Sequence, residues 1–325
     1  SKETLAAYSK TGTIHALSVS GMHVGIIYIM LNWLLSFLDR KRAGQIFKVI
    51  LICSLIWGYS LLTGFSPSVL RSAIMLSVYI LAKQLKRSTN NYNVISFTAI
   101  ILLVIDPFVI WNVGFQLSFL AVLGLIYYQP KIYKWCFFKY KWADKLWSAV
   151  AMSLAAQLAT LPLSIYYFHQ FPVYFIISNL FILLPITALM YGGLAILVLN
   201  VYSIAPWFER LIIFVNDGLK WISSLPYAGI TEIWINQWQL LLICLFLLYA
   251  TFGVVYYKKK HIIASLVILL SMQVYLGYQK HSASQQEEII LFSLRKNYAA
   301  AFIVGNECVL LTDLNENDRN FEFFV

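Results

Sequence analysis

Long apolar runs are the feature that most limits how this chain can fold. Several runs of about 20 residues, rich in Leu, Ile, Val and Phe, alternate with short polar or basic segments. A helix of about 20 residues matches the hydrocarbon core of a bilayer, which is about 30 Å thick. Only 12% of the residues are charged, whereas a soluble domain carries about a quarter. The sequence therefore predicts an all-α polytopic membrane protein.

We predict about nine helical spans. Eight follow from the apolar runs themselves, at about Val19–Leu38, Ile46–Leu62, Ser68–Leu81, Val94–Ile105, Phe108–Tyr128, Leu146–Phe168, Trp238–Tyr257 and Ile262–Tyr278. The segment from Pro172 to Asn200 is too long for one straight span and contains Pro185. We interpret it as a broken or re-entrant pair of half-helices that returns to the outer side, with two short tilted helices as the alternative.

Basic residues between the spans predict the orientation. They form four clusters, at Arg40, Lys41, Arg42 and Lys48, at Lys83, Lys86 and Arg87, at Lys131, Lys134, Lys139, Lys141 and Lys145, and at Lys258–Lys260. Loops on the cytoplasmic side carry an excess of Lys and Arg, so we expect both ends of the chain on the outer side. The same rule explains the net charge of +10 without a nucleic acid.

Two segments differ in character from the spans. Residues Pro206–Leu225 alternate polar and apolar side chains at helical spacing, which is typical of an amphipathic helix in the membrane interface or against another helix. After Lys280 a polar linker leads to strand-like runs at Ile289–Leu294, Ala300–Val304 and Cys308–Thr312, with a turn at Gly305-Asn306. We therefore expect a membrane domain over residues 1–280 and the incomplete start of an outer β-containing domain over residues 281–325. Because the chain begins at Ser1 without a signal peptide, we expect it to be a fragment of a longer protein.

The stretch from His15 to Gly25, H-A-L-S-V-S-G-M-H-V-G, places polar side chains where a simple anchor would carry only apolar ones. Its histidines are eight residues apart, or about 12 Å along a straight helix, so they cannot share a metal ion unless the helix breaks. Gly21 and Gly25 form a G-x-x-x-G pattern that favours close helix packing. Polar groups within a span also indicate function. A packing seam and a helix that lines a polar path both remain open.

Four stretches together resemble the ComEC competence family. They are H-A-L-S-V-S-G-M-H-V-G-I-I from His15, L-T-G-F-S-P-S-V-L-R-S-A-I-M from Leu62, D-P-F-V-I-W-N-V-G-F-Q-L-S-F-L-A-V-L-G from Asp106 and, more weakly, A-A-Q-L-A-T-L-P-L-S from Ala155. They follow the family's order and cover most of residues 14–190. Family members commonly have Asp where this chain has Asn112, and because an amide carries no charge we expect no ionic role at that position.

The resemblance implies a channel for single-stranded DNA in the bacterial cytoplasmic (inner) membrane, used in natural transformation. It also implies an outer DNA receptor, a cytoplasmic helicase-like motor and a single-strand-binding protein as partners, besides membrane lipid; a homo-oligomer is compatible with it. The sequence has no G-x-x-x-x-G-K-[ST] phosphate loop and no H-x-H-x-D-H nuclease motif. We therefore expect no enzymatic activity in this chain, and no catalytic residue, metal site or cofactor.

Polar side chains and helix-breaking residues in the spans are the candidates for the DNA path. Ser66-Pro67 predicts a helix start, and Arg71 one turn later would make a site for an anion such as phosphate, although snorkelling or pairing with Asp106 also explains Arg71. Asp106 itself is expected to be a structural cap. The candidates are His15, Ser18, Ser20, Gly21, His23, Gly25, Ser66, Arg71, Asn112, Gln116, Gln157, Ser178, Asn179 and Pro185.

Two other functions remain open on the sequence. A small-solute or lipid-linked secondary transporter would also use broken helices and buried amides. An intramembrane serine hydrolase would use Ser20 with a histidine, although a nucleophile and its base normally come from separate elements.

Overall fold

The computed structural model describes residues 2–85, 90–199, 204–292, 298–305 and 307–313. Its helices are α1 (Lys2–Lys10), α2 (Gly21–Leu34), α3 (Arg42–Leu62), α4 (Pro67–Gln84), α5 (Asn91–Ile105), α6 (Val113–Tyr127), α7 (Gln129–Tyr133), α8 (Lys141–Phe168), α9 (Phe175–Leu199), α10 (Ala205–Ser224), α11 (Gln237–Tyr256) and α12 (Lys259–Ser284). Short 3-10 helices cover Ile14–Ala16, Ser36–Arg40 and Pro107–Trp111. The strands are β1 (Phe171–Pro172), β2 (Gly229–Ile230), β3 (Glu287–Phe292), β4 (Ala299–Val304) and β5 (Glu307–Thr312). The chain forms two compact units, Ser1–Asn236 and Gln237–Val325, each described by itself below.

The prediction of a mainly helical membrane protein is confirmed. Among the described residues, six helices are long and apolar enough to cross a membrane: α3, α6 continued through α7, α8, α9 from Phe175 to Gly193, α11 and α12. Helices α2 and α5 are also apolar but shorter. The count of nine spans is therefore not confirmed.

Two predicted spans are shorter in the structure than in the sequence interpretation. The first ends at Leu34 rather than Leu38, since residues Ser36–Arg40 form a 3-10 turn in which Asp39 pairs with Lys48 of α3. The fifth begins at Val113 rather than Phe108, because the side chains of Asp106 and Asn112 each cap a separate helix start. Polar side chains that cap helix starts thus divide apolar runs that a hydropathy analysis treats as single spans.

The prediction of a break at Pro185 is wrong. Helix α9 continues through Pro185 from Phe175 to Leu199, while Asn200 lies outside the described residues. Proline removes one backbone donor from a helix, but membrane helices tolerate the loss when neighbouring groups compensate. The carbonyl that Pro185 leaves without a helical donor is that of Phe181, four residues earlier, whereas the Thr187 hydroxyl donates to the Leu183 carbonyl, at 2.7 Å.

The chain nevertheless returns to the end of the first unit at which α9 begins, by way of α10. Strand β1 precedes α9, strand β2 follows α10, and the two pair antiparallel with Phe171 opposite Ile230. Tyr174 also donates its hydroxyl to the Pro226 carbonyl. Helix α10 is amphipathic, and its buried residues Val215, Leu219 and Ile222 pack against α9 and α1. The sequence left two partners open for this amphipathic helix, the membrane interface and another helix. In the structure it packs against other helices.

Contacts connect the helices of the first unit in a closed circuit. Along this circuit α2 contacts α4, α4 contacts α6, α6 contacts α8, α8 contacts α9, α9 contacts α10 and α10 contacts α1. Met22 of α2 closes it by packing on the apolar cluster that α1, α9 and α10 share. Helices α3 and α5 are not part of this circuit, but both pack against α4. Helix α3 does so through Ile52 and Ile56.

The second unit combines the helix pair α11 and α12 with a three-stranded antiparallel sheet in the order β3-β4-β5. The predicted strand-like runs therefore form strands, with Ala301 of β4 between Ile290 of β3 and Leu310 of β5. Gly305 has a positive φ of 58°, as a tight turn requires. Asn306 and Leu294 lie outside the described residues, as do Lys86 and Arg87 of the second basic cluster. The domain boundary at residue 280 stays a prediction.

Candidate functional site at the polar end of the first unit

Most of the candidate residues lie at one end of the first unit, which we call the polar end. Helices α2, α4, α6 and α9 begin there, and α8 and α10 end there. Three side-chain contacts establish this arrangement: Arg71 of α4 lies against Gly114 of α6, Tyr167 of α8 donates to Gln116 of α6, and Gln170 donates to Ser9 of α1. The chain thus brings together residues that are far apart in the sequence.

His23 is bound to the start of its own helix. The Ser20 backbone N–H donates to His23 Nδ1 at 3.1 Å, and Ser20 Oγ lies 3.0 Å from the same nitrogen. Because a backbone N–H can only donate, Nδ1 must be the acceptor, so the neutral ring carries its proton on Nε2. This is a helix cap at the polar end.

The Ser20–His23 contact is also short enough for a nucleophile and its base. However, Nδ1 already accepts the backbone N–H, and Nε2 has no hydrogen-bond partner among the described residues. No third group therefore orients the ring, as one does in hydrolases that use a Ser-His pair. Capping explains the contact fully.

The two glycines of the G-x-x-x-G pattern have different surroundings. A Cβ on Gly21 would overlap Ser72 Oγ of α4, so this glycine allows α2 and α4 to approach closely. A Cβ on Gly25 would meet no atom within 4 Å. The packing-seam interpretation therefore holds for Gly21, whereas the contact predicted for Gly25 is absent from the described part of the chain.

His15 and His23 do not lie on one straight helix. His15 belongs to the 3-10 turn Ile14–Ala16, and α2 begins only at Gly21. The separation of about 12 Å for a straight helix therefore does not apply to these two histidines. Within the described ranges, no group of three or more His, Cys, Asp or Glu residues could hold a metal ion. Ser18, in the intervening loop, is exposed, and its hydroxyl lies 3.5 Å from the His15 carbonyl.

Arg71 is a buried cation without a counterion. The residue is only 5% exposed, and its Nε atom has no hydrogen-bond partner in the described part of the chain. A Cβ on Gly114 would lie 3.7 Å from Arg71 Nη2 and 3.9 Å from Nη1. The only ion pair among the described residues joins Lys48 to Asp39, so the alternative in which Arg71 pairs with Asp106 is excluded there.

Three further candidates each have one buried polar atom without a hydrogen-bond partner. They are Ser66 Oγ, Ser178 Oγ and Asn179 Oδ1, none of which has a hydrogen-bond partner among the described residues. Ser66 precedes α4 as predicted, but its hydroxyl does not cap the helix. An unsatisfied polar group in an apolar environment costs several kcal/mol, so each such atom requires a physical explanation.

The candidate amides have different structural roles. Asn112 caps α6 by accepting from the Phe115 N–H at 3.1 Å, so it precedes the helix rather than lying within a span. Gln116 donates to the Ile110 carbonyl and accepts from Tyr167 of α8, which makes it an interhelical link. Gln157 and Pro185 lie roughly 15 Å deeper along their helices, at 1.5 Å per residue. The Gln157 side chain forms no hydrogen bond with the described residues.

The sequence analysis missed several residues that build the polar end. Tyr8 of α1 donates to Asn216 of α10 at 2.9 Å, and burial raises the pKa of Tyr8, so its hydroxyl stays a protonated donor. Thr11 and Thr13 are fully buried and bond to each other at 2.9 Å. His169, at the end of α8, stacks on Trp234 with ring centroids 3.9 Å apart. A helical periodicity search gives no signal for such contacts between distant segments.

Comparison with known proteins identifies the family. The family profile described as "Competence protein" matches residues 1–258. The chain belongs to the competence protein family. This competence family member is similar to ComE operon protein 3 of Bacillus subtilis (strain 168), with 32% identity over 221 residues, which cover 66% of this chain and 27% of that protein.

Two further relatives carry no functional name. The uncharacterized protein YcaI of Escherichia coli (strain K12) is 27% identical over 263 residues, which cover 73% of this competence family member and 33% of YcaI. An uncharacterized protein of Aquifex aeolicus (strain VF5) is 29% identical over 124 residues, 38% of this chain and 28% of that protein. The matched region thus spans a third or less of each relative's length. No solved structure matches the chain.

Proposed function

We propose that this chain forms the membrane part of a channel through which single-stranded DNA crosses the bacterial cytoplasmic membrane during natural transformation. Membership of the competence family and the similarity to ComE operon protein 3 support a role in competence and DNA uptake. The closed circuit of helices offers a boundary within which a polar path can run.

The observation that carries the proposal is the set of buried, unpartnered polar atoms at the polar end. Six of the described residues have such an atom, and four of them, Ser66, Arg71, Ser178 and Asn179, were selected as path residues from the sequence alone. The other two are Ser60 and His169. These atoms are shielded from the surface of the unit, so lipid headgroups and bulk water do not satisfy them. A passage that admits water and phosphate would do so, since irregular or polar groups at membrane depth are tolerated where they line a cavity.

Transport of a strand requires contacts that are weak and repeated. Each nucleotide carries one phosphate charge, and an isolated charge in a medium of low dielectric constant costs tens of kcal/mol by a Born estimate. A path lined by neutral Ser, Asn and Gln with a single Arg lowers that cost without binding the strand so tightly that it stalls.

Energy and recognition must come from other proteins in this proposal. A helicase-like motor on the cytoplasmic side, a single-strand-binding protein and an outer DNA receptor are the partners we infer, and a homo-oligomer is compatible with the same path. We infer that both ends of the chain lie on the outer side of the membrane.

The proposal is tested by uptake of fluorescent DNA in a deletion strain of a naturally transformable host. We expect DNA to reach the outer side of the membrane in the deletion strain but not the cytoplasm, and the wild-type gene to restore entry. Entry should fall at least tenfold with Arg71→Ala and should be normal with Arg210→Ala, which removes the same charge from an exposed position on α10.

Three outcomes would contradict the proposal. Normal entry of DNA in the deletion strain would show that the chain is not needed for DNA uptake. Saturable uptake of a small solute, with no effect of the deletion on DNA entry, would favour the transporter. Covalent labelling of Ser20 by a fluorophosphonate would favour the hydrolase.

A further inference from the structure

Positive charge gathers where α4 and α6 begin side by side, next to Arg71. Helix α4 starts at Pro67 and α6 at Val113, and the contact between Arg71 and Gly114 shows that both starts face the same region. The N-terminus of an α-helix carries a partial positive charge of about half an elementary charge. The partial positive charges of the two helix N-termini therefore add to the charge of the Arg71 guanidinium.

No carboxylate in the described part of the protein pairs with this charge. Arg71 forms no ion pair there, and Asp106, seven residues before the start of α6, uses Oδ1 to accept the Phe108 N–H. Burial of a charge without a partner is so unfavourable that such groups are normally paired or hydrogen-bonded. Arg71 is only 5% exposed, so little of its side chain is left for bulk water to solvate.

Among the residues that the structure describes, two backbone N–H groups at the start of α6, next to Arg71, are free to donate hydrogen bonds. The first N–H groups of a helix have no acceptor within the helix. At the start of α6, the Asn112 side chain satisfies Phe115 N–H and the Asn112 carbonyl satisfies Gln116 N–H, whereas the N–H groups of Val113 and Gly114 donate to no described residue. The terminal nitrogens of Arg71 lie on the same side of Gly114, and a guanidinium with backbone N–H donors suits the oxygens of a tetrahedral anion.

Glycine at position 114 keeps this region accessible. A Cβ there would lie 3.1 Å from Asn112 Oδ1 and within 4 Å of both terminal nitrogens of Arg71. A methyl group would thus occupy the space between the guanidinium and the start of α6. The absence of a side chain is what allows an anion to approach the backbone N–H groups.

We propose that Arg71 and the N–H groups of Val113 and Gly114 form a binding site for one phosphodiester group of single-stranded DNA. This inference rests on the proposed function, which supplies the strand. The site contacts the backbone and not the bases, so it acts on any sequence. Because there is one guanidinium, the strand is held at one phosphate at a time and can advance.

The test is equilibrium binding of a fluorescent single-stranded oligothymidine to the full chain in lipid nanodiscs, measured over a series of salt concentrations. Each phosphate contact contributes about 0.7 to the slope of log K against log salt for single strands. We expect Arg71→Gln to reduce the slope by about 0.7 and to weaken binding about tenfold at low salt. Arg210→Gln, the matched exposed arginine, should change neither.

Two further arms keep the result specific. Gly114→Ala should weaken binding while Arg71 stays in place, and an oligothymidine with a neutral methylphosphonate backbone should bind the wild type and Arg71→Gln equally. Thermal unfolding of each variant must match the wild type, and Arg71→Lys provides a second variant that keeps the charge if Arg71→Gln does not fold.

An unchanged slope and affinity in folded Arg71→Gln would overturn the site, while the channel proposal would still stand on the uptake assay. Because Arg71→Lys keeps the charge, its slope should match that of the wild type. If Arg71→Gln does not fold, unchanged affinity in folded Gly114→Ala would overturn the site instead. Loss of co-purified phosphatidylglycerol from Arg71→Gln with unchanged oligothymidine binding would also overturn it, since the anion would then be a lipid headgroup. Failure of the wild-type gene to restore DNA entry would instead remove the proposed function.

Discussion

His23 and Arg71 represent two ways in which a polar side chain lies among apolar helices. The Ser20 N–H and hydroxyl satisfy one nitrogen of His23 within a single helical turn, so this residue is explained by local structure. The Nε atom of Arg71 has no partner among the described residues. A histidine that caps a helix contributes to stability, whereas an unsatisfied arginine indicates that something else binds it.

The role of His23 as a cap leads to a stability prediction. His23→Ala should lower the free energy of unfolding by about 1 kcal/mol, because the Ser20 N–H loses its acceptor. His281→Ala, at an exposed position of α12, serves as the control and should leave the midpoint unchanged. Thermal unfolding in detergent measures both, and ¹⁵N NMR of labelled histidines checks the proton on Nε2. A His23 ring with its proton on Nδ1 would contradict the cap.

At the scale of single elements, α2 depends on one glycine of its pair. A Cβ on Gly21 would overlap Ser72 Oγ, which itself donates to the Ser68 carbonyl at 3.1 Å, whereas Gly25 has open space around it. Gly21→Leu should therefore destabilise the protein by about 1–3 kcal/mol, as overpacking does, and Gly25→Leu should not. The midpoints of thermal unfolding compare the two. Equal midpoints would show that α2 and α4 are not in close contact at Gly21.

Helix α10 depends on its buried face. Leu219 is fully buried against α9 and α1, whereas Phe214 on the same helix is 58% exposed. We expect Leu219→Ala to lower stability by about 2–5 kcal/mol, since it leaves a cavity between the helices. Phe214→Ala is the matched control, with a loss below 1 kcal/mol in detergent. A larger effect at Phe214 than at Leu219 would mean that α10 lies on the membrane surface with the opposite face inward.

At the scale of the first unit, the return of the chain through α10 can be tested directly. Phe171 and Ile230 face each other in the β1–β2 pair, at a distance suited to a disulfide. In a background without the four native cysteines, Phe171→Cys with Ile230→Cys should cross-link on mild oxidation. Phe171→Cys with Met190→Cys, four turns along α9, should not. Cross-linking of the second pair alone would place the end of α10 at the wrong end of the unit.

Hydropathy and caps predicted the helices of this protein well, but not the way in which α9 and α10 reverse the chain. Pro185 is the usual signal for a break, and only the surrounding helices determine that α9 continues through it. Similarly, Arg71 and the start of α6 were each recognisable in the sequence, whereas their contact at Gly114 depends on how α4 and α6 pack. Hydrophobic periodicity describes one helix or strand at a time, so it cannot predict contacts between separate elements.

Met22 and Val24 are only two residues apart, yet they belong to different parts of the first unit. Val24 is buried with α3 and α4, and Met22 packs on the cluster formed by α1, α9 and α10. If these two helix groups moved apart, the first turn of α2 would have to leave one of them. The first turn of α2 therefore joins the two groups, and a movement that widens the space between them must break its packing on one side.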